Sequence, residues 1–411
     1  MEASIENIKK DIYGLDEFNT TPGKGTTRIL FTKEEVKART YIKERMKETG
    51  LTIEEDAIGN IFGVLEGSEP ELAPVWSGSH IDTVKNAGMF DGMAGVVAAV
   101  EALRMIKESG TQLKRSIKAV VYTSEEPTRF GVCCLGSRSM AGELKYEDLD
   151  LLKDETNRSL KEVLTELGYN LAEFGKIKCQ KGDVYASVEL HIEQGAVLEQ
   201  KGLPIGIVEG ICGPTTLMVK LEGTQEHAGS TPMPIRKDAM VAAAEVMLKL
   251  EELVKQTKSE HTVGTVGYVE VYPNVTNAIP GEVKLSIDLR DIYMDVKDSV
   301  LKDLYQFFAE LESKRFVKVS YEVLNHDKPV MCNKKINDCI EQICINNQIK
   351  YNKMVSGAYH DSMFVGKFAP MSMIFVPSKA GLSHNPEEWT EFEDLKLGTE
   401  LLASTLSELA K

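Results

Sequence analysis

The sequence predicts an α/β protein in which a sheet covered by helices is interrupted by a second, smaller α/β unit. Two observations support this prediction. Apolar runs alternate with stretches of helical periodicity in both end regions of the chain, whereas the middle has a different order of elements. Such alternation is typical of a sheet with helices packed against it. The 411 residues also exceed the size at which one core usually suffices, so two domains are expected.

The first part of the chain supplies the alternating elements in a clear order. Thr32 and Glu35 form a capping-box pattern that predicts a helix ending before Gly50. Apolar runs in "PVWSGS" and "SIKAVVYT" then predict two strands, with a helix between them. In sheets built in this way, ligands bind at the carboxyl ends of the strands.

The middle segment, residues 213–329, reads as strand-helix-strand-strand-helix-strand, which is a self-contained two-layer unit. The alternation of the first part resumes after it. We therefore expect a discontinuous larger domain formed by residues 1–212 and 330–411. The middle segment would be a smaller domain inserted into it.

The last part of the chain continues the larger domain. It contains a predicted helix near residues 334–346 and a strand at "MSMIFVP". A C-terminal helix follows, for which Thr390 and Glu393 are the expected cap.

Composition and charge argue against several classes of function. The net charge of -15, without Lys/Arg-rich blocks, disfavours a nucleic-acid surface. Seven scattered cysteines without C-x-x-C spacing are typical of reduced thiols. No apolar run approaches the roughly 18 residues of a membrane span, and the N-terminus has no apolar signal region. We expect a cytoplasmic protein with a small-molecule partner and neither a nucleic-acid nor a membrane partner.

Side chains suited to metal binding follow four predicted strands of the larger domain. His80 ends the strand in "WSGSHIDT", and His191 ends the one in "YASVELHIEQG". Glu125 and Glu126 follow "SIKAVVYT", and His384 follows "MSMIFVP". For any one of them a solvated turn or a core histidine is the ordinary interpretation. Because the ends of such strands meet at one edge of a sheet, the whole set favours a metal centre.

Two aspartates extend this set. Asp82 lies two residues after His80, so its carboxylate is expected to support the imidazole ring. Asp91 lies among glycines in "NAGMFDGMAG", where small neighbours leave room for an ion. Histidine and carboxylate ligands without thiolate favour Zn, Mn or Co. One ion does not need five ligand candidates, whereas two ions with a bridging carboxylate would use them all. The five candidates are His80, Asp91, Glu126, His191 and His384.

The adjacent glutamates then acquire a mechanistic interpretation. Neighbouring carboxylates repel each other unless a cation or a shared proton compensates. Consecutive residues at a strand end face different ways, so Glu126 can bind a metal while Glu125 stays free. A free carboxylate beside metal-activated water can act as a general base.

Eight motifs, spread from about residue 20 to the C-terminus, resemble one family in content and order. They are "GSHIDT", "FDG", "TSEEPTRFG…LGSRSMAG", "ELHIEQG", "EHAGSTPM", "TNAIPGEV…DLRD", "SGAYHDS" and "GLSHNP". The family is that of the M20-type hydantoinase/carbamoylase amidohydrolases, the group of N-carbamoyl-L-amino-acid hydrolases and allantoate amidohydrolases. The resemblance implies a zinc-peptidase-like catalytic domain with helices on both faces of a mixed sheet. It also implies an inserted ferredoxin-like lid or dimerisation domain, a homodimer, and two divalent metal ions per subunit, Zn or Mn/Co.

The resemblance also implies roles for individual residues. Related peptidases usually have an acidic ligand at the position of His191, which favours the ureido branch of the family. The implied ligands are His80 and His191 for one metal and Glu126 and His384 for the other, with Asp91 as the bridge and Glu125 as the general base.

Substrate contacts are implied in the same way. Gln194 is similar to a residue that contacts the carbamoyl end of the substrate. His227 is similar to one that polarises the scissile carbonyl, often across the dimer. Asn277 and Arg290 correspond to residues that hold the substrate carboxylate, which suits the planar fork of arginine. Without the resemblance, the residues alone favour these roles no more than the ordinary alternatives. His227 could be a loop histidine, and Arg290 could belong to a solvated strand edge.

His360 resembles another substrate contact, and here the chain departs from the family pattern. Tyr359 precedes this histidine, where the family has a small residue. We expect the phenol either to narrow the pocket or to supply a hydroxyl group to it.

The sequence therefore predicts a binuclear metal-dependent hydrolase that acts on linear amides other than peptides. It would cleave the ureido C–N bond of an N-carbamoyl-L-amino acid to give the amino acid, CO2 and ammonia. Allantoate and N-carbamoyl-β-alanine are the alternative substrates, and a dipeptidase or aminoacylase is a further alternative. A non-catalytic binding protein is disfavoured because all six ligand and base positions are present.

Overall fold

A computed structural model describes residues 1–411 of the chain. The α-helices are α1 (Ile5–Asp16), α2 (Lys33–Glu48), α3 (Met93–Ser109), α4 (Leu135–Ala141), α5 (Leu160–Glu166), α6 (Val197–Lys201), α7 (Ala239–Gln256), α8 (Met294–Arg315), α9 (Lys334–Asn346), α10 (Ser362–Val365) and α11 (Phe392–Leu409). The strands are β1 (Thr52–Glu55), β2 (Ile61–Leu65), β3 (Val75–His80), β4 (Ile117–Tyr122), β5 (Ala186–Ile192), β6 (Ile205–Ile211), β7 (Gly213–Glu222), β8 (Glu226–His227), β9 (Val263–Tyr272), β10 (Ala278–Ile279), β11 (Glu282–Asp291), β12 (Lys318–His326), β13 (Val330–Met331), β14 (Tyr351–Ser356) and β15 (Met371–Val376).

The chain divides into two units. The larger consists of Met1–Glu209 and Cys332–Lys411, and the smaller consists of Gly210–Met331. The predicted boundaries differ from this division by at most three residues, 212 against 209 and 330 against 332.

The larger unit is built on a mixed sheet whose strands follow the order β1-β2-β4-β3-β5-β15-β6, with β14 also paired to β6. Its centre is parallel, because β3 pairs in parallel with β4 and β5, and β5 with β15. The outer pairs β1 with β2, β2 with β4, and β6 with β15 are antiparallel. The four strands predicted to carry the site residues therefore end at the same edge of the sheet.

Strand β5 shows how helices cover both faces of this sheet. All seven of its residues are buried. Alternate residues join the core that α3 and α11 also line, namely Val188, Leu190 and Ile192. The intervening Glu189 accepts a hydrogen bond from Ser362 at the start of α10, at 2.6 Å. Because side chains of a strand alternate between faces, α10 lies opposite α3 and α11, which confirms the predicted α/β architecture.

Helix caps were predicted with mixed success. The Thr32 hydroxyl accepts the Glu35 N–H and caps α2 as expected. The cap predicted for the C-terminal helix is wrong, because neither Thr390 nor Glu393 caps α11. The Thr390 hydroxyl instead donates to the Pro377 carbonyl at 3.0 Å, so a contact with the loop after β15 takes the hydroxyl that the cap would need.

The smaller unit has the predicted order β7-α7-β9-β11-α8-β12, and its four-stranded antiparallel sheet runs β12-β7-β11-β9. Residues of β11 alternate between buried and half-exposed, with Val283, Leu285, Ile287 and Leu289 in the core. Helices α7 and α8 supply the other side of that core. Lys284, Ser286, Asp288 and Arg290 occupy the polar face, as predicted. The role of this unit as a lid or dimerisation domain stays a prediction.

None of the helices in the structure combines the length and the apolar composition that crossing a membrane requires.

Candidate metal centre

Asp91 lies at the centre of a cluster of histidines and carboxylates in the larger unit. Its Oδ1 is 3.3 Å from His191 Nε2 and 3.9 Å from His80 Nε2. Its Oδ2 is 3.1 Å from His384 Nε2, which is also 3.3 Å from Glu126 Oε1. Within each side of the cluster the potential ligand atoms lie within 4.8 Å of one another. The five positions predicted as metal ligands are therefore gathered around one carboxylate.

Local structure explains how these side chains converge. His80 ends β3 and His191 lies one residue before the end of β5, so both leave the sheet at the same edge. Asp91 follows in the loop before α3, and the next residue, Gly92, has φ +70°. A Cβ at Gly92 would lie 2.4 Å from the His80 ring, so only glycine fits beside this histidine.

The buried imidazoles are oriented for metal binding. His80 Nδ1 is 3.0 Å from the Asp82 carbonyl, and His191 Nδ1 is 2.9 Å from the Ile192 carbonyl. These contacts place the hydrogen on Nδ1 and leave the Nε2 lone pair of each ring facing Asp91. His191 Nε2 is buried and makes no hydrogen bond. Lone pairs that face a carboxylate are unfavourable unless a cation lies between them, so these residues fit a divalent metal.

The carboxylates of Asp91 and Glu126 favour a positive charge on His384, which lies between them. Hydrogen bonds to Asp91 and Glu126 raise the pKa of His384 to about 10. Burial opposes ionisation of Asp91, yet the hydrogen bond from His384 lowers its pKa below the usual value. His384 itself is half-exposed and has φ +53° in the loop after β15.

Asp82 supports the site in a way that differs from the prediction. Its carboxylate was expected to orient His80, but Oδ1 is 3.7 Å from His80 Nδ1, and the backbone carbonyl makes the contact instead. The carboxylate accepts the N–H of Glu125 at 3.2 Å through Oδ1 and that of Glu126 at 3.1 Å through Oδ2. The expectation was wrong because the chain turns after β3 and points this side chain at the loop after β4.

Glu125 stands apart from the clustered ligands. Its Oε2 is 3.9 Å from His80 Nε2, and its Oε1 is 3.6 Å from the Cys134 thiol, a weak donor. Burial, followed by the nearby charge of Glu126, raises its pKa well above that of an ordinary glutamate. A buried carboxylate with a raised pKa and few hydrogen bonds can accept and return a proton.

Gln194 contacts the cluster directly. It lies in the loop after β5 with φ +56°, and its Nε2 donates to Asp91 Oδ2 at 3.0 Å. Its Oε1 is buried without a hydrogen-bond partner. The side chain predicted to contact substrate therefore holds the central carboxylate and keeps one acceptor unused.

His360 lies beside His191, and Tyr359 precedes His360 in the chain. The His360 ring is buried and packs edge-on against His191, with 4.6 Å between the ring centres. Together with Glu189 these two histidines form a further group of potential ligands. The Tyr359 hydroxyl is 3.5 Å from Arg138 Nη2. The residue that departs from the family pattern is thus paired with a cation.

One contributor, Glu388, escapes detection from the sequence. It is buried, and its Oε1 accepts the N–H groups of Phe90 and Asp91, both at 3.0 Å. Its Oε2 accepts a hydrogen bond from Ser383 at 2.9 Å. Burial raises the pKa of Glu388 to about 7, and these hydrogen bonds oppose the shift. Glutamate after a turn is normally exposed, so no sequence signal identifies this one.

The smaller unit brings two of the predicted substrate contacts together. His227 lies on the short ribbon formed by β8 and β10, and Asn277 immediately precedes β10, where its carbonyl accepts the Ala228 N–H. His227 Nδ1 accepts the N–H groups of Gly229 and Ser230 at 3.1 and 3.2 Å. In the neutral ring the hydrogen is therefore on Nε2, which makes that atom a donor.

Arg290 lies elsewhere in the smaller unit. It is near the end of β11, whereas the β8–β10 ribbon adjoins the start of that strand through a hydrogen bond between Gly223 and Gly281. From Glu282 to Arg290 the strand rises about 26 Å at 3.3 Å per residue. Arg290 Nε and Nη2 donate to both oxygens of Asp288 at 2.7 and 3.0 Å.

Comparison with known proteins identifies the family. A model of Peptidase family M20/M25/M40 matches residues 76–408. The chain is 41% identical over 409 residues to a ureidoglycolate hydrolase of Oryza sativa subsp. japonica, covering 98% of this chain and 84% of the relative. It is 40% identical over 408 residues to an N-carbamoyl-L-amino acid amidohydrolase of Geobacillus stearothermophilus, covering 99% and 98%.

A solved structure supports the same assignment. An amidase of the hydantoinase/carbamoylase family from Burkholderia multivorans has a TM-score of 0.93 and 29% identity, covering 100% of this chain and 98% of that chain. These matches confirm the family resemblance and the fold class predicted from the sequence. The chain belongs to Peptidase family M20/M25/M40, and it is an amidohydrolase of this metal-dependent family.

Proposed function

We propose that this enzyme hydrolyses the ureido C–N bond of an N-carbamoyl-L-amino acid to give the amino acid, CO2 and ammonia. The observation that carries the proposal is the convergence of two histidine-containing groups on Asp91, with Glu125 buried beside them and outside both groups. The 40% identity to an N-carbamoyl-L-amino acid amidohydrolase supports this substrate class. The histidine at position 191 supports the ureido branch of the family over the peptidase branch.

The residues around Asp91 would hold two divalent ions, Zn or Mn/Co. One group consists of His80, His191 and Asp91, and the other of Asp91, Glu126 and His384. Bound there, the ions supply Lewis-acid activation of water and of the ureido carbonyl. Asp82 would keep the two glutamates of the loop after β4 in their separate roles through its two backbone hydrogen bonds.

Glu125 would move the proton. It accepts a proton from the water that adds to the ureido carbon, and it delivers that proton to the nitrogen that leaves when the C–N bond breaks. Cleavage of either ureido C–N bond gives the same products, because the carbamate formed in each case loses CO2. Glu125 is free for both steps, because it belongs to neither group of potential metal ligands.

Ureidoglycolate is the second candidate substrate. The 41% identity to a ureidoglycolate hydrolase covers 98% of this chain. Both candidates are α-ureido acids that share a carbamoyl group and a carboxylate and differ only in the substituent on the α-carbon. The amine product of ureidoglycolate is a carbinolamine, which releases a second ammonia as it collapses to glyoxylate. The ratio of ammonia to CO2 therefore separates the candidates.

A substrate panel tests the proposal. Metal-free protein is loaded with Zn²⁺, Mn²⁺ or Co²⁺ and incubated with N-carbamoyl-L-amino acids, ureidoglycolate, allantoate, N-carbamoyl-β-alanine and dipeptides, while ammonia, CO2 and free amino acid are measured. One ammonia per CO2 from a carbamoyl amino acid supports the first candidate. Cleavage of dipeptides without ammonia from any ureido compound would contradict the proposal.

Replacing the base tests the mechanism. Glu125→Gln should lower turnover on the order of a hundredfold or more with metal still bound. Glu101→Gln is the matched control, because Glu101 is a buried carboxylate of α3 that pairs with Arg104 and takes no part in the cluster. Near-full turnover of Glu125→Gln with metal bound would refute the role of Glu125.

The spacing within the smaller unit supports a homodimer. The ribbon that carries His227 adjoins the start of β11, and Arg290 lies about 26 Å along that strand from Glu282, a length greater than that of a small ureido acid. If all three contact one substrate, the β8–β10 ribbon and Arg290 must come from different subunits. Each site would then require two copies of the chain.

Mixing variants tests this arrangement. His227→Ala and Arg290→Ala should each be nearly inactive alone. Random reassociation of the two gives half mixed dimers with one complete site each, so about a quarter of wild-type activity should return. Mixed dimers that stay inactive, while each variant still binds metal, would contradict a shared site.

A further inference from the structure

Glu388 is a buried carboxylate that has no role in the proposed reaction and contacts the backbone of Asp91. Glu388 is 2% exposed, and its Oε1 accepts the backbone N–H groups of Phe90 and Asp91. Its Oε2 is 2.9 Å from the hydroxyl of Ser383, the residue before His384. Glu388 therefore links the loop that carries Asp91 to the loop that carries His384.

The Ser383 hydroxyl faces two carboxylates. Its oxygen is 2.9 Å from Glu388 Oε2 and 3.2 Å from Asp91 Oδ2. It also accepts a hydrogen bond from Gln194 Nε2 at 3.3 Å. A hydroxyl has one hydrogen, so only one of the two carboxylates can receive it. The shorter distance assigns this hydrogen to Glu388.

The direction of that hydrogen matters for Asp91. A carboxylate oxygen has two lone-pair positions. On Asp91 Oδ2 one accepts the hydrogen bond from Gln194, and His384 Nε2 lies 3.1 Å from the same oxygen. If Ser383 donated to this oxygen, the second lone pair would be occupied and its charge partly neutralised.

We propose that Glu388 is a positioning residue for the metal centre, which holds the Ser383 hydrogen away from Asp91 and so keeps Asp91 Oδ2 available to a divalent cation. This inference rests on the proposed metal-dependent function. Loss of a group that orients a metal ligand typically lowers metal affinity about 10- to 100-fold. The effect should fall on the ion shared with Glu126 and His384, because Asp91 Oδ1 faces the other two histidines.

The variant Glu388→Gln tests this inference with little change of shape. The glutamine Oε1 can still accept both backbone N–H groups, but its NH2 group donates to Ser383. The serine hydrogen then turns toward Asp91. Ser383→Ala removes that hydrogen, so combining it with Glu388→Gln should restore metal affinity. Glu387→Gln is the matched control, because Glu387 is the exposed neighbour with the same charge.

The readout is calorimetric titration of metal-free protein with Zn²⁺ alone, at the same pH for every variant. Wild type and Glu387→Gln should bind two equivalents. In Glu388→Gln, one of the two Zn²⁺ equivalents should bind about tenfold or more weakly than in the wild type. The double variant, Glu388→Gln with Ser383→Ala, should bind Zn²⁺ less than about threefold more weakly than Ser383→Ala alone. Thermal unfolding of each variant shows that the protein is folded.

Several results would overturn the inference. One is that Glu388→Gln binds two equivalents of Zn²⁺ with wild-type affinity. Another is that Glu388→Gln lowers Zn²⁺ affinity by the same factor with and without the Ser383 hydroxyl. If Glu388→Gln does not fold, Ser383→Ala alone remains decisive. It should change affinity by less than about threefold, and a gain of about tenfold would show that Ser383 donates to Asp91 in the wild type. Failure of the wild type to bind Zn²⁺ would instead refute the proposed metal centre itself.

Discussion

Replacing Asp82 by Asn should slow the reaction without unfolding the larger unit. Each oxygen of this buried carboxylate accepts one backbone N–H, from Glu125 at 3.2 Å and from Glu126 at 3.1 Å. Asparagine has the same shape, but its NH2 group would face one of these N–H donors. A hydrogen bond to a charged group contributes about 1.5 to 3 kcal/mol, so losing one predicts a decrease in kcat of about 10- to 150-fold.

The assay compares kcat, KM and bound metal for the two forms. The contact between the Asp82 carbonyl and His80 is unchanged in the variant, so metal held by the histidines should be retained. Asp154→Asn is the control, because the Asp154 carboxylate also accepts two backbone N–H groups, those of Thr156 and Arg158. A kcat for Asp82→Asn within about threefold of wild type, with full metal content, would refute this reasoning.

Two further predictions concern metal binding and stability. Gly92→Ala should lose metal affinity, because its Cβ would lie 2.4 Å from the His80 ring. The control is Gly110→Ala, which has a similar φ of +69° and no atom within 4 Å, so it should lose only stability. Equal metal affinity of the two variants would contradict this prediction. Glu35→Ala should reduce the free energy of unfolding by about 3 to 5 kcal/mol in urea titrations, because it leaves a buried arginine unpaired. Glu34→Ala, which removes an exposed ion pair, should cost less than about 1 kcal/mol.

The clustering of the candidate metal ligands was predictable because its signal is local. His80 ends one apolar strand and His191 lies one residue before the end of another, and the carboxyl ends of parallel strands meet at one edge of a sheet. Asp91 and Gly92 precede a helix in a glycine-rich stretch, which suggested room for an ion. The structure brings all of these side chains together without revising any predicted strand.

The hydrogen bonds around the ligands were not predictable in the same way. Asp82 was expected to orient His80 with its carboxylate, yet the carboxylate bonds to backbone 43 and 44 residues away in the chain. Glu388 reaches Phe90 across 298 residues. No periodicity or spacing encodes such contacts, because they depend on where two loops approach each other after the sheet has formed.

The order of elements, the interruption of the larger unit by the smaller one, and the identity of the polar residues at the strand ends follow from the amino-acid sequence alone. Burial repeats with the period of a helix or a strand, and that repeat is written in consecutive residues. The tertiary structure decided which oxygen of Asp91 faces which histidine, which two carboxylates lie beside the Ser383 hydroxyl, and which end of β11 the β8–β10 ribbon adjoins. These are distances between segments remote in the chain, and only the packed fold sets them.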